Sequence, residues 1–169
     1  MKRKISSFFL VSMLTASTLL YSGCGDQSPK ADSEMLCTYS QSIEGMDYDS
    51  TVHITYVKES GQMISGTITH QYEGYPKDEA SNKVLTDMTV RKSILDDVDG
   101  VELELNRTDT GFGSKETWDY SKIDLESIIY TDELQEKFID KNKGYYSQNM
   151  AKKYYESHNY GCSVSDLNS

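Results

Sequence analysis

Two histidines, His53 and His70, sit in neighbouring stretches rich in β-branched residues. If these stretches pair about Gly61, the imidazoles lie opposite each other, and cross-strand neighbours ~5 Å apart can share a metal. A zinc site needs three or four protein ligands. No carboxylate is placed beside the two rings, so both are read as surface histidines, with no metal and no cofactor. "DDVDG" at 96–100 has the acid density of a calcium loop. The full loop pattern wants acid at its first place and Glu at its twelfth. Those places hold Leu95 and Asn106, so the stretch reads as a helix end with solvated acids. No Gly-x-Ser-x-Gly elbow is present, and no catalytic residue is assigned.

Aromatic residues are the next resource. The chain has 13 tyrosines and one tryptophan, including the pairs Tyr145-Tyr146 and Tyr154-Tyr155. A tyrosine joins an apolar ring to a polar tip, which suits contact surfaces. Trp118, Tyr154 and Tyr155 are therefore the candidate ligand-binding residues, for a glycan, a peptide or an envelope protein. The alternative is that the rings cover a sheet and fill a modest core.

Sulfur chemistry points to a compartment. Met1-Lys2-Arg3-Lys4 is basic, and Ile5 to Leu20 carries no charge. A basic start, a short apolar run and small residues before a cut describe a secretory signal peptide. The run is shorter than the ~20 residues of a membrane-spanning helix. Ser22 and Gly23 then precede Cys24. This pattern resembles the bacterial lipoprotein signal, in which the cysteine sulfur takes a diacylglycerol. Tyr21 stands where Leu is usual. Cleavage before Cys24 would leave the chain on the extracytoplasmic face of the cell membrane, held by that lipid. Two cysteines then remain in an oxidising compartment, and Cys37–Cys162 is their natural disulfide. Two separate thiols are the alternative.

The whole chain has a net charge of −10, which becomes −13 once Lys2, Arg3 and Lys4 leave with the signal. Such a surface repels nucleic acid, and a DNA or RNA role is excluded. The predicted organisation is a signal peptide at 1–23, a flexible tether at 24–35 and one domain at 36–169.

The elements that must position these groups follow from hydrophobic period. Residues 37–44, 51–58 and 63–72 alternate as strands and form a meander, with Gly61 supplying a positive φ in the second turn. Residues 77–97 carry Val84, Leu85, Met88, Ile94 and Leu95 on a helical face. Pro76 and Gly100 punctuate it. Residues 101–108 and 114–123 form a hairpin about "TGFG", with Trp118 and Tyr120 on one face. Two shorter helices close the chain. One carries Leu134, Phe138 and Ile139; the other carries Met150 to Tyr155, with Ser147 as N-cap and Gly161 as C-cap. The fold class is therefore α+β: an antiparallel sheet of about five strands packed against helices, with C-terminal helices.

Several stretches in this order resemble the YehR-like family of small bacterial lipoproteins, a domain of unknown function. They are "CTYSQSIEGM", "HITYVKESGQMISGTIT", "VELELNRTDTGF" with "DYSKIDLESI", and "NMAKKYYESHNYGC". The resemblance implies a lipid-anchored domain and supplies no catalytic residue. The expected function is a non-catalytic binding or accessory module at the cell envelope. A small extracytoplasmic hydrolase or metal-handling protein using His53 and His70 is the alternative.

Overall fold

A computed structural model describes residues 29–43, 46–74 and 79–167. Cys24 and the signal stretch lie outside them. Three long strands, β1 (Ser33–Ile43), β2 (Met46–Val57) and β3 (Gln62–Glu73), form the expected meander. Helix α1 (Glu79–Leu95) follows, then strands β4 (Val101–Arg107) and β5 (Gly111–Asp119). Two short helices, α2 (Leu125–Thr131) and α3 (Glu133–Glu136), lead to a two-stranded hairpin, β6 (Ile139–Asp140) and β7 (Tyr145–Tyr146). Helix α4 (Gln148–Ser157) and strand β8 (Gly161–Asp166) finish the fold. The main sheet has six antiparallel strands in the order β4-β5-β3-β2-β1-β8, and the class is α+β.

Period two sorts this sheet into a wet and a covered face. On the covered side, register stacks Cys37, Val52, Ile68, Glu116 and Leu103 in one row, and Met35, Ile54, Gly66, Trp118 and Val101 in the next. The open side presents Thr38, Thr51, Thr69, His53 and Thr67 in matching rows. Helices α1 to α4 lie over the covered side, where Trp118, Ile128, Phe138 and Ala151 are fully buried. Among the described residues, no helix is long and apolar enough to cross a membrane.

Several boundaries differ from the sequence expectation. Strand β1 begins at Ser33, inside the expected tether, because the Asp32 N–H donates to the Tyr56 carbonyl (3.2 Å) and the Asp32 carbonyl accepts from Leu167 N–H (2.9 Å). Gly111 and Phe112 belong to β5 rather than to the turn, which closes through Thr108 N–H to the Gly111 carbonyl at 2.9 Å. Ile139 sits in β6, since α3 stops at Glu136. Ser147 does occupy the N-cap of α4, but its side chain makes no capping bond. Gly161 starts β8 instead of capping α4, and Asn159 takes the left-handed φ of 66°. The sixth strand escapes a pattern search because Ser163 to Asp166 has one apolar residue. Its strand character comes from pairing with β1.

Two glycines do defined work. Gly61 (φ 75°) turns β2 into β3 as expected. Gly66 leaves a hollow for Tyr120: a Cβ there would stand 3.0 Å from the Tyr120 ring and from its hydroxyl. That ring is pinned between Trp118 (centroids 6.0 Å) and Tyr146 (4.6 Å). Gly66→Ala is therefore expected to lose about 1–3 kcal/mol of stability through overpacking. Urea unfolding checks it, and an unchanged midpoint would show that the ring can yield.

Candidate functional site

The sheet's covered face is not fully sealed. Two adjoining cavities, about 310 and 350 Å³, share His70, Arg91 and Glu116. The first runs between β2, β3 and α1, past Tyr48, Tyr72, Val84, Asp87 and Met88. The second runs toward α4, past Ile68, Leu134, Tyr154, Tyr155, His158 and Tyr160. Together they form one cleft with an aromatic wall at each end.

Each group is there for a local reason. In β3, parity turns Ile68, His70 and Tyr72 inward together. In β5 the same parity turns Ser114, Glu116 and Trp118 inward, so a carboxylate occupies a core position. In α1, the spacing of Val84, Met88, Arg91 and Leu95 makes one helical stripe, with arginine at its third place. Arg91 and Glu116 therefore meet: Nε lies 2.5 Å from Oε1, and Nη2 lies 2.9 Å from Oε2. Nη2 also lies 2.9 Å from Asp132 Oδ2. Glu116 is 1% and Asp132 4% exposed at the side chain, while Arg91 keeps 33%. Trp118 Nε1 donates to Glu116 Oε2 at 3.0 Å. Asp132 Oδ1 caps α3 by accepting from Leu134 and Gln135 N–H. Burial works against the charged guanidinium, but the hydrogen bonds and charges of Glu116 and Asp132 outweigh it, and the Arg91 pKa lies above its ordinary value.

His70 lies beside this trio. Burial lowers its pKa, favouring neutral imidazole; the Glu116 charge opposes that and Arg91 reinforces it. Its Nδ1 shares a 2.8 Å hydrogen bond with the Tyr48 hydroxyl. An aromatic row crosses the sheet here: Tyr160, Tyr39, Tyr48, Tyr72 and Phe112, with successive centroids 5.2, 5.9, 4.6 and 4.8 Å apart. The Tyr160 hydroxyl donates to Ser50 Oγ at 2.9 Å. Two of these ring pairs are stacked and two are tilted, and Tyr48, Tyr72 and Tyr160 of the row line the cleft. At the other end Tyr154 packs on His158 (4.1 Å) and Phe138 (5.4 Å). Such a cleft, part apolar with a few fixed polar groups, has the make-up of a small-molecule site.

The sequence candidates fall in different places. Tyr154 and Tyr155 line the second cavity, Tyr154 half-buried and Tyr155 only 4% exposed. Trp118 is fully buried beneath the cleft, where it orients Glu116 and meets no ligand surface. His53 and His70 do not face each other: His53 pairs with Thr67, Ser50 pairs with His70, and the two rings lie on opposite faces of the sheet. His53 instead bonds Glu34 at 2.8 Å. Among the described residues no group of three or more His, Cys, Asp and Glu could hold a metal ion. Cys37 and Cys162 are joined as a disulfide across the β1–β8 pair. Arg91, Glu116, Asp132, Tyr48 and Tyr72 were not singled out from sequence. A signal existed: Arg91 and Glu116 each hold a position whose period belongs to the core.

The architecture defines a class: an antiparallel sheet with one face packed by helices and a cleft left open between them. Within that class, the chain belongs to the family described as a domain of unknown function, DUF8824, whose model matches residues 25–168. No curated protein matches it. Its fold resembles the NMR structure of the YehR protein of E. coli, at 16% identity and a TM-score of 0.50, over 80% of this chain and 92% of that one. A protein of Streptococcus pneumoniae TIGR4, also solved by NMR, aligns at 14% identity and a TM-score of 0.48, over 96% and 99% of the two chains. The YehR likeness expected from sequence thus holds for the fold.

Proposed function

We propose that this chain is a bacterial lipoprotein of the YehR-like type, tethered through Cys24 outside the cytoplasmic membrane, where it acts as a non-catalytic binding module. The observation that carries the binding role is the cleft around His70, Arg91 and Glu116, walled by tyrosines. The anchoring rests on the Lys-Arg-Lys start, the uncharged run and Ser22-Gly23-Cys24. The Cys37–Cys162 disulfide supports export, because such bonds persist in oxidising compartments. A metal shared by His53 and His70 is disfavoured, because the two rings lie on opposite faces of the sheet.

Two measurements test this reading. In cells fed labelled fatty acid, Cys24→Ser is expected to abolish incorporation and release the protein or leave it unprocessed. Full membrane retention with normal processing would refute the anchor. For the cleft, ligand-induced NMR shifts are expected at Ile68 to Tyr72 and at Tyr154 to Tyr160. Shifts confined to the open face would refute the site.

A further inference from the structure

The carboxylates lining the cleft outnumber its guanidinium. Arg91 is the only cationic side chain among the residues lining the two cavities, and its Nε and Nη2 are engaged by Glu116 and Asp132. Against that one charge stand two lining carboxylates, those of Glu116 and Asp87, the latter exposed at the rim; Asp132 reaches Arg91 from outside these cavities. Lys137 lies outside these cavities, its Nζ 5.7 Å from the Tyr154 ring centre. His70 adds no positive charge while burial keeps it neutral. The hydroxyls of Tyr48 and Tyr72 and the ring of His70 add hydrogen-bonding capacity. Val84, Met88 and Leu103 form the apolar side of the same cavity.

We propose that the cleft takes a small alkylammonium ligand, a protonated amine on a short hydrocarbon chain. The inference rests on the cleft being the ligand site. The ammonium end would be held at Asp87, near the Tyr72 hydroxyl, and the chain would lie along Val84, Met88 and Leu103. An ammonium group offers donors only, matching the Asp87 carboxylate at the rim and the lone pairs of the tyrosine hydroxyls beside it. An anion such as a carboxylate or phosphate would meet a net negative lining and a guanidinium already paired. A neutral polyol would leave the charge excess unused. The chain's overall charge of −10 also steers cations toward it.

The test titrates the full mature protein with cadaverine, pentanediol and glutarate, following backbone amides by NMR. Cadaverine is expected to shift Tyr72, Met88 and Arg91, and to bind at least ~10-fold more tightly than either comparison compound. Asp87→Asn, a change at an exposed position, is expected to weaken it ~3- to 10-fold, and the loss should shrink at high salt. Tyr72→Phe keeps the ring and should weaken it ~2- to 5-fold. If glutarate or pentanediol shifts the same amides at least as tightly, or Asp87→Asn changes nothing, the ammonium assignment is overturned while the cleft stands as a site. If no probe shifts the cleft amides, the assignment is overturned; a screen of glycans and peptides that also leaves them unmoved would overturn the site as well.

Discussion

Arg91→Leu is expected to destabilise the domain by about 3–4 kcal/mol, lowering the urea midpoint with little change in slope. The effect comes from what is left behind. Glu116, at 1% exposure, would be left beside Ile68 and Trp118 with only the indole N–H as partner. The expectation lies low in the range for broken buried pairs because the guanidinium keeps 33% exposure, and water can relax part of the site. Asp132 suffers less, since it retains two backbone donors at the start of α3. Adding Glu116→Gln should therefore recover most of the loss: the charge goes, and an oxygen remains for Trp118 Nε1. The double variant separates a stranded carboxylate from lost packing of the arginine stem. If Arg91→Leu alone were neutral, the trio would not be the bond between α1, β5 and α3 that the distances imply.

Cys37→Ser with Cys162→Ser is expected to cost about 4–5 kcal/mol in the chain-entropy account, because the bridge closes a loop of 125 positions. For a domain of this size that lowers the melting temperature by roughly 10–15 °C. Reduction of the parent protein should give the same shift, and mass spectrometry without reductant should show the two cysteines in one linked peptide pair. Position sets where loosening begins. Strand β8 is an edge strand whose residues are mostly exposed, and the disulfide joins it to fully buried Cys37. Amides of Gly161 to Asp166 should then exchange faster than those of β2 and β3. A melting temperature unchanged by reductant would refute this role.

Both effects depend on features that differ in how far sequence reveals them. The meander was legible because β-branched alternation over 51–58 and 63–72 is a local period. Helix α1 was legible from its stripe and from Gly100 beyond its end, although Ile94, placed on that stripe, is 44% exposed; Pro76 lies outside the described residues. Arg91 lies on the stripe's true line with Val84, Met88 and Leu95. Glu116 shares parity with Trp118. Each was readable as a charge in an apolar position, but nothing local names the partner 25 residues away.

The histidines show the limit most clearly. Side-chain direction reverses with each residue, so a one-residue register change moves a group through the sheet. A bulge after Thr55 shifts the register, and His53 and His70, one at an odd and one at an even position, end on opposite faces. Composition and short-range pattern were thus enough for the class of fold, the acidic surface and the three consecutive strands, since those depend on neighbours along the chain. The cleft, its ion-paired floor, the row of tyrosines and the eighth strand were decided only by folding. Each requires groups distant in sequence to be held within a few ångströms, and register and helix placement choose which ones meet.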